Sequence, residues 1–264
     1  MSPENHNFPE TENSKPRVGI PWRTRDEERQ GNVEKLNYYF EAVRRGGGVP
    51  EHVSLGLSDE ELRKQAAGLD AFVLPGSPAD VDPARYAEPR HPKTKTLDAD
   101  RDRTDGAILE HALRQHKPVL AICYGCQILN VYQGGSLVQD IPAEKPGTDA
   151  HGKTDLAAGA TTKDLQHAAR LAEGSQLQKL AGTTQVQINS SHHQSIDRPG
   201  EKLRVTARGT DGIIEGVELE SPADWVVGVQ WHPERMPEDP FAQELFADFV
   251  RAARKARLEA AGKR

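Results

Sequence analysis

Three short, almost uninterrupted apolar segments alternate with helical patterns along the first half of the chain. They are RVGIPW at 17–22, DAFVLPG at 70–76 and PVLAIC at 118–123. Strands that are apolar on both faces fit a parallel sheet covered by helices on both sides, because such strands have no solvent face. We therefore predict an α/β fold with a doubly wound, mostly parallel sheet flanked by helices.

The segments between these strands carry helix signals. Residues 33–45 place apolar side chains at helical spacing before a run of glycines ends the pattern. Ser58 precedes another helical pattern, with Glu61 three residues later as in a capping box. Residues 102–116 are predicted as a helix with an apolar stripe on one face, and Pro118 begins the next strand.

The second half of the chain has a different pattern. QVQINS, KLRVTARG, IIEGVELE and WVVGVQWHP resemble strands with few helices between them. This predicts a mixed or antiparallel extension of the sheet. We expect one domain over residues 16–255, a disordered polar tail at 1–15 and a basic tail at 256–264, because no linker interrupts the middle of the chain.

The charge balance excludes some partners. The 264 residues carry a net charge of −6, so no basic stripe is expected for a nucleic acid. No apolar run approaches the roughly 20 residues of a membrane helix, and the first residues lack the apolar core of a signal peptide. A cytoplasmic protein without a membrane partner is expected. A homo-oligomer is compatible with the sequence.

A cysteine lies where the third strand meets the next helix. Ala121 and Gly125 stand two residues before and two after Cys123, and small residues there permit a sharp strand-to-helix bend. The bend predicts strained backbone at Cys123 and a sulfur that faces the helix N-terminus, where the thiolate is favoured. The backbone N–H of Tyr124 is then a candidate oxyanion donor.

The sequence around this cysteine is compatible with two other functions. CYGC matches the C-x-x-C of thiol oxidoreductases, although it lies far along a larger sheet. A zinc site would combine Cys123 and Cys126 with His192 and His193, but adjacent histidines lack the usual His-x₃₋₅-His spacing. Both alternatives are disfavoured.

A thiol nucleophile needs a base, and the base needs a third group that fixes its tautomer. The strand WVVGVQW delivers His232, and Pro233 forces a turn that can bring the Glu234 carboxylate back to the imidazole. A further glycine, Gly76, follows the strand AFVLP. Glycine permits close backbone approach to a ligand, so the Gly76 N–H is a second candidate oxyanion donor.

With these elements in order, the chain resembles class I glutamine amidotransferase-like proteins with a flavodoxin-like sheet, and most closely the γ-glutamyl-γ-aminobutyrate hydrolase-like branch, the peptidase C26 family. The resemblance rests on LPGSPADVDP, Arg101-Asp102, AICYGCQILNVYQGGSLVQDI, INSSHHQSID, DGIIEGVE and VQWHPE. Ala121 stands where these families often have Gly, and Ser77 replaces a common second Gly.

The resemblance implies a function for particular residues. It implies a catalytic triad of Cys123, His232 and Glu234, and an oxyanion hole from the N–H groups of Gly76 and Tyr124. The substrate-binding positions that it implies are Gln127, Ser191, His192 and His193.

The expected activity is hydrolysis of a small-molecule γ-glutamyl amide through a γ-glutamyl thioester, with no metal or organic cofactor. Two alternatives remain open. One is a glutaminase that supplies ammonia to a separate synthetase, and the other is a non-catalytic binding protein on the same fold. The sequence does not identify the amine side of the scissile bond.

Overall fold

The computed structural model describes residues 15–149, 151–152, 164–221 and 223–262. The predicted tail at 1–15 therefore lies, except for Lys15, outside the described residues. The strands are β1 (Arg17–Pro21), β2 (Val49–Val53), β3 (Ala71–Leu74), β4 (Val119–Ile122), β5 (Leu137–Val138), β6 (Leu165–Leu171), β7 (Gln185–Ser190), β8 (Ser195–Ile196), β9 (Leu203–Gly209), β10 (Ile214–Leu219) and β11 (Val226–Val229).

In the described ranges, helices lie between the strands and after the last of them, together with two short 3-10 turns. The helices are α1 (Arg25–Gln30), α2 (Leu36–Arg45), α3 (Asp59–Ala67), α4 (Ala99–Arg114), α5 (Tyr124–Tyr132), α6 (Ile141–Glu144), α7 (Gln176–Ala181) and α8 (Pro240–Gly262). The 3-10 turns are Pro83–Tyr86 and Pro233–Arg235. Ser58 and Glu61 form the predicted capping box of α3.

The sheet has the order β2-β1-β3-β4-β11-β10-β9-β6-β7, with β5 and β8 beside this path. The strands from β2 to β11 are parallel. From β10 onward the pairs are antiparallel. The predicted doubly wound α/β fold, with its mixed extension, is confirmed.

Both faces of the parallel strands are buried, as their apolar composition predicts. On β4, Leu120 and Ile122 join the core formed with α2 and α8, whereas Val119 and Ala121 join the core beneath α3, α4 and α5. This alternation follows from the two-residue period of a strand. The carboxyl ends of β3, β4 and β11 consequently meet at one edge between two helical layers.

Several elements differ from the sequence prediction. Helix α4 begins at Ala99, three residues before the predicted start, because Asp98 caps it by accepting from the Arg101 N–H. Helix α8 continues to Gly262, so residues 256–262 of the predicted basic tail are helical. No helix in the described part of the chain is long and apolar enough to cross a membrane.

The two ends of the described chain meet. Near the end of α8, Arg257 donates from Nη1 to the Lys15 carbonyl (2.7 Å) and lies 3.7 Å from Asp70 Oδ2. Lys15 and Asp70 each precede a parallel strand. The contact therefore lies at the amino edge of the sheet, opposite the edge that carries Cys123.

Helix α5 starts unusually close to β3. A Cβ on Gly125 would lie 2.1 Å from the Leu74 carbonyl oxygen, a distance that no side chain tolerates. Only glycine lets the first turn of α5 contact the β3 backbone, as the predicted sharp bend requires.

We predict that Gly125→Ala destabilises the protein by about 3 kcal/mol, at the upper end of overpacking effects, because backbone atoms of β3 cannot move aside freely. Gly106→Ala in α4 is the matched control. Its new Cβ would be 3.5 Å from Arg85, so it should stabilise the helix by up to about 1 kcal/mol. Urea unfolding of both variants measures the difference, and equal midpoints would contradict the prediction.

Candidate active site

Cys123 occupies the bend between β4 and α5 in a strained conformation. Its φ of 53° and ψ of −106° lie in a region that a non-glycine residue seldom adopts. The Cys123 N–H donates to the Val229 carbonyl (2.8 Å), so the bend is held by β11. The predicted backbone strain is observed, and the side chain lines a cavity at the carboxyl edge of the sheet.

The strand β11 leads to His232 at the same edge. The His232 Nδ1 lies 2.8 Å from Glu234 Oε1, and both side chains are almost completely buried. Pro233 opens the 3-10 turn that returns the carboxylate to the ring. The structure therefore brings together the predicted base and its orienting carboxylate.

Charges around the imidazole reverse the effect of its burial. Burial alone would lower the pKa of His232, but the Glu234 and Cys123 side chains favour the imidazolium and raise this pKa to about 9. Burial would likewise raise the pKa of Glu234, and the neighbouring His232 charge lowers it. The site thus stabilises the imidazolium–carboxylate pair that forms when the ring takes up the Cys123 proton.

Asn189 fixes the backbone of the base. Its Oδ1 accepts from the His232 N–H (2.9 Å), and its Nδ2 donates to the His232 carbonyl (3.0 Å). Asn189 lies at the end of β7, so the antiparallel extension positions His232. It belongs to the INSSHHQSID segment, but no pattern in the sequence pointed to this role.

Gly76 lies against the two reactive side chains. A Cβ at Gly76 would be 2.9 Å from His232 Cε1 and 3.4 Å from Cys123 Cβ, so glycine is needed here. The Gly76 N–H, however, donates to the Tyr39 hydroxyl (3.0 Å) instead of facing the cavity. The predicted oxyanion role of Gly76 therefore requires this hydrogen bond to be exchanged.

Tyr124 is the other predicted oxyanion donor. As the first residue of α5, it has an N–H without an intrahelical acceptor, directly beside Cys123. Its side chain is buried, and its hydroxyl donates to Asp102 Oδ1 (2.5 Å). The backbone of Tyr124, and not its ring, is thus the group offered to the site.

The cavity at this edge has a volume of about 440 Å³. It is lined by all four predicted substrate-binding residues, which are Gln127, Ser191, His192 and His193. His193 bridges Asp80 (Nε2 to Oδ1, 3.0 Å) and Asp140 (Nδ1 to Oδ1, 3.3 Å). The four positions therefore lie at the same cavity as Cys123 and His232.

Two of the residues that line the cavity are fixed by hydrogen bonds to buried neighbours. Gln127 donates from Nε2 to the Gln194 carbonyl and to Gln230 Oε1, each at 3.2 Å. His192 contacts the same Gln194 carbonyl through Nδ1 at 2.9 Å. Both side chains are buried, so each exposes only part of its surface to the cavity.

Cys126 lies on the inner side of α5, away from solvent. Its Sγ packs where a Gly228 Cβ would be, at 2.9 Å, and it is fully buried. Burial raises the pKa of the Cys126 thiol well above its ordinary value. A buried, protonated second cysteine does not suit an exposed C-x-x-C redox centre or a zinc site shared with His192 and His193.

Two arginines to which the sequence gave no role border the site. Arg235 Nη2 lies 3.3 Å from His232 Nε2, and Asp164 holds Arg235 Nη1 through both carboxylate oxygens. Arg23 also lines the cavity and donates from Nε to the Gly76 carbonyl (3.0 Å). The position of Arg235 directly after the His-Pro-Glu sequence is the one signal that could have indicated it.

Arg101 holds the edge of the sheet together from within the fold. Its completely buried guanidinium donates to the carbonyls of Trp22 (3.2 Å), Arg23 (3.0 Å) and Pro75 (2.6 Å). Asp105 Oδ2 accepts from its Nε at 2.8 Å. The bonds to the three carbonyls join the segments that follow β1 and β3, and so fix the loop that carries Gly76.

The sheet order and the strand-end cysteine define the class I glutamine amidotransferase fold. The chain aligns with a solved structure from Thermoplasma acidophilum, of a protein named provisionally as one component of a GMP synthase. The TM-score is 0.63 and the identity 14%, over 94% of this chain and 98% of the other. At that identity the likeness concerns the fold alone.

Residues 16–234 match the family model described as Peptidase C26, and the chain belongs to this family. It is 33% identical over 217 residues to the γ-glutamyl-γ-aminobutyrate hydrolase PuuD of Escherichia coli, covering 81% of this chain and 84% of that protein. It is also 33% identical over 214 residues to a Schizosaccharomyces pombe protein named provisionally as a glutamine amidotransferase, covering 80% and 79%.

The raised pKa of His232 predicts a pH-dependent contribution to stability. Because the pKa of His232 in the folded protein, about 9, exceeds the ordinary value of 6.5, its contribution to folding stability is complete below pH 6.5 and is lost as the pH rises through 9.

Glu234→Gln removes the opposing charge and should lower the pKa of His232, as measured by NMR of the ring protons. Glu60→Gln, at an exposed position, should leave it unchanged; an equal pKa in Glu234→Gln and wild type would refute the prediction.

Proposed function

We propose that the protein is a cysteine-dependent hydrolase that cleaves γ-glutamyl amide bonds and releases glutamate. The observation that carries the proposal is the shared cavity in which the strained Cys123 lies beside His232, whose other ring nitrogen is 2.8 Å from Glu234. A nucleophile, a base and an orienting carboxylate in this arrangement are suited to acyl transfer. Membership of the Peptidase C26 family supports a hydrolytic reaction.

The chemistry begins with proton transfer from Cys123 to His232, which the positive charge favoured on this imidazole makes feasible. The thiolate attacks the γ-carbonyl carbon, and the oxyanion accepts from the Tyr124 N–H. His232 then protonates the leaving amine as the C–N bond breaks and a thioester remains. Water, deprotonated by His232, attacks the thioester and releases glutamate with the thiol restored.

The second oxyanion donor would come from the loop after β3. When the oxyanion forms, the Gly76 N–H can leave the Tyr39 hydroxyl and donate to the substrate oxygen. This exchange replaces a neutral hydrogen bond by a stronger one to a charged acceptor, so it favours the transition state over the free enzyme.

The charges of the cavity suit the common end of γ-glutamyl substrates. That end carries an α-carboxylate and an α-ammonium group. Arg23 and Lys95 line the cavity as cations, and Asp80 lines it as an anion. Together with the relative named as a γ-glutamyl-γ-aminobutyrate hydrolase, this supports a γ-glutamyl amine as substrate.

A glutaminase that delivers ammonia is the second candidate, because one relative carries a glutamine amidotransferase name. The thioester chemistry would be the same, with ammonia as the leaving group. A comparison of glutamine and γ-glutamyl-γ-aminobutyrate as substrates of the isolated protein separates the candidates. A higher kcat/KM for the γ-glutamyl amine favours the hydrolase, whereas turnover of glutamine alone favours the glutaminase.

We expect Cys123→Ala to lower kcat/KM for γ-glutamyl amides by roughly 10⁴-fold or more, because no other group can form the thioester. Cys126→Ala is the matched control, since it removes a thiol from the same helix outside the cavity and should keep activity near the wild-type level. Released glutamate is the readout. Full activity of a folded Cys123→Ala variant would refute the proposal.

The thioester itself can be detected. Addition of hydroxylamine during turnover should divert the acyl group to γ-glutamyl hydroxamate, because hydroxylamine attacks thioesters faster than water does. Product analysis by mass spectrometry measures the fraction diverted. Absence of hydroxamate from an active wild-type enzyme, under conditions that trap a simple thioester, would contradict a covalent intermediate.

A further inference from the structure

A second cluster of titratable side chains lies behind the wall of the cavity. Three histidines, His151, His167 and His192, surround the carboxylate of Glu215, and we name this group the histidine cluster. Glu215 is fully buried, and His151 and His192 are nearly so. The mechanism above uses none of these four side chains.

The cluster brings its members together from separate parts of the chain. His167 lies on β6 and Glu215 on β10. Glu215 falls within a register shift of the β9–β10 pair, between Ile214 and Gly216. Such a bulge redirects a side chain, and here it carries a carboxylate into the interior of the sheet extension.

The groups at the centre of the cluster lack hydrogen bonds. Both oxygens of Glu215, His167 Nε2 and His192 Nε2 are buried without a hydrogen-bond partner among the described residues. The Glu215 Oε1 lies 3.3 Å from His151 Nδ1, 3.5 Å from His167 Nε2 and 3.6 Å from His192 Nε2. A buried carboxylate without hydrogen bonds is unfavourable unless a positive charge or a metal ion lies beside it.

The outer ring nitrogens, in contrast, all have partners. His151 Nε2 lies 2.7 Å from Asp211 Oδ2. The Nδ1 atoms of His167 and His192 lie 3.2 Å and 2.9 Å from the backbone carbonyls of Ala168 and Gln194. A carboxylate or carbonyl on the outer nitrogen is the usual support of a metal-binding histidine, because it leaves the inner nitrogen as a lone-pair donor.

The spacing of the inner atoms fits one metal ion. Two ligands each about 2.0–2.1 Å from a tetrahedral zinc ion are roughly 3.4 Å apart. The three nitrogen–oxygen distances bracket this value, and the inner atoms of His151, His167 and Glu215 all lie within 4.8 Å of one another. Ser190 Oγ lies 3.3 Å from His151 Nδ1, but its hydroxyl can donate to the His151 carbonyl (2.9 Å) instead. The lone pair of His151 Nδ1 then stays available to a metal ion.

We propose that the histidine cluster binds a divalent transition-metal ion through His151, His167 and Glu215, with Zn²⁺ the best fit to these imidazole and carboxylate ligands. The charge balance supports this, since a dication offsets the charges of Glu215 and of Asp211, which touches His151.

The ion would have a structural role. Four protein ligands close a tetrahedral zinc site, and a small shift of His192 Nε2, now 3.6 Å from Glu215 Oε1, would supply the fourth. The ion would join β6 and β10 to the segment that carries Ser191, His192 and His193 along the cavity wall. This assignment does not depend on the proposed hydrolase activity.

Binding of Co²⁺ to the metal-stripped full-length protein tests the proposal, because tetrahedral Co²⁺ absorbs visible light. One Co²⁺ per chain, displaced by Zn²⁺, is expected. Glu215→Gln and His167→Gln should each weaken binding at least tenfold, and Asp211→Asn should weaken it 10- to 100-fold. His116→Gln, at an exposed histidine, is the matched control, and Cys123→Ser should bind normally.

A thermal measurement complements the spectra. Zn²⁺ at a hundredfold excess over Kd should raise the Tm of wild type by roughly 5–10 °C, and this shift should be lost in His167→Gln. His167→Gln and Asp211→Asn also keep the test decisive if Glu215→Gln fails to fold. Absence of stoichiometric metal in wild type, unchanged affinity in both His167→Gln and Asp211→Asn, or loss of binding in Cys123→Ser would overturn the proposal.

Discussion

The close contact between the first turn of α5 and the backbone of β3 is the constraint on which the site depends. Gly125 permits the contact, and the chain must then turn through a left-handed conformation at Cys123. That conformation is unfavourable on its own, so the surrounding sheet has to stabilise it. The bond from the Cys123 N–H to Val229 provides part of this support. The nucleophile is therefore placed by packing and not by a flexible loop.

The parallel and antiparallel parts of the sheet contribute differently to the same edge. The parallel strands carry Cys123 and Gly76, whereas the extension supplies Asn189, which holds the backbone of His232 on both sides. Arg101 ties together the loops after β1 and β3 from a buried position. Rigid positioning of this kind is what acyl transfer requires, because small displacements of reacting groups are costly.

The sequence predicted what depends on local patterns. The apolar strands, the capping box at Ser58 and the small residue at Gly125 follow from short-range sterics and periodicity. Strand β6 was not predicted, since LQHAARL is rich in helix-forming residues and becomes a strand only through pairing with β7 and β9. The bond from Gly76 to Tyr39, and the gathering of histidines around Glu215, likewise join residues too distant in sequence for any local pattern to relate.

The contact of Arg257 with Lys15 and Asp70 has a practical consequence. It places Lys15 and the last turns of α8 at the amino edge of the sheet, on the far side from Cys123. A solid support attached beside Lys15 or at the end of α8 would therefore lie opposite the cavity. In a chain trimmed to residues 15–262, the same proximity would allow these two points to be joined by a short peptide, with new ends opened in a surface loop elsewhere.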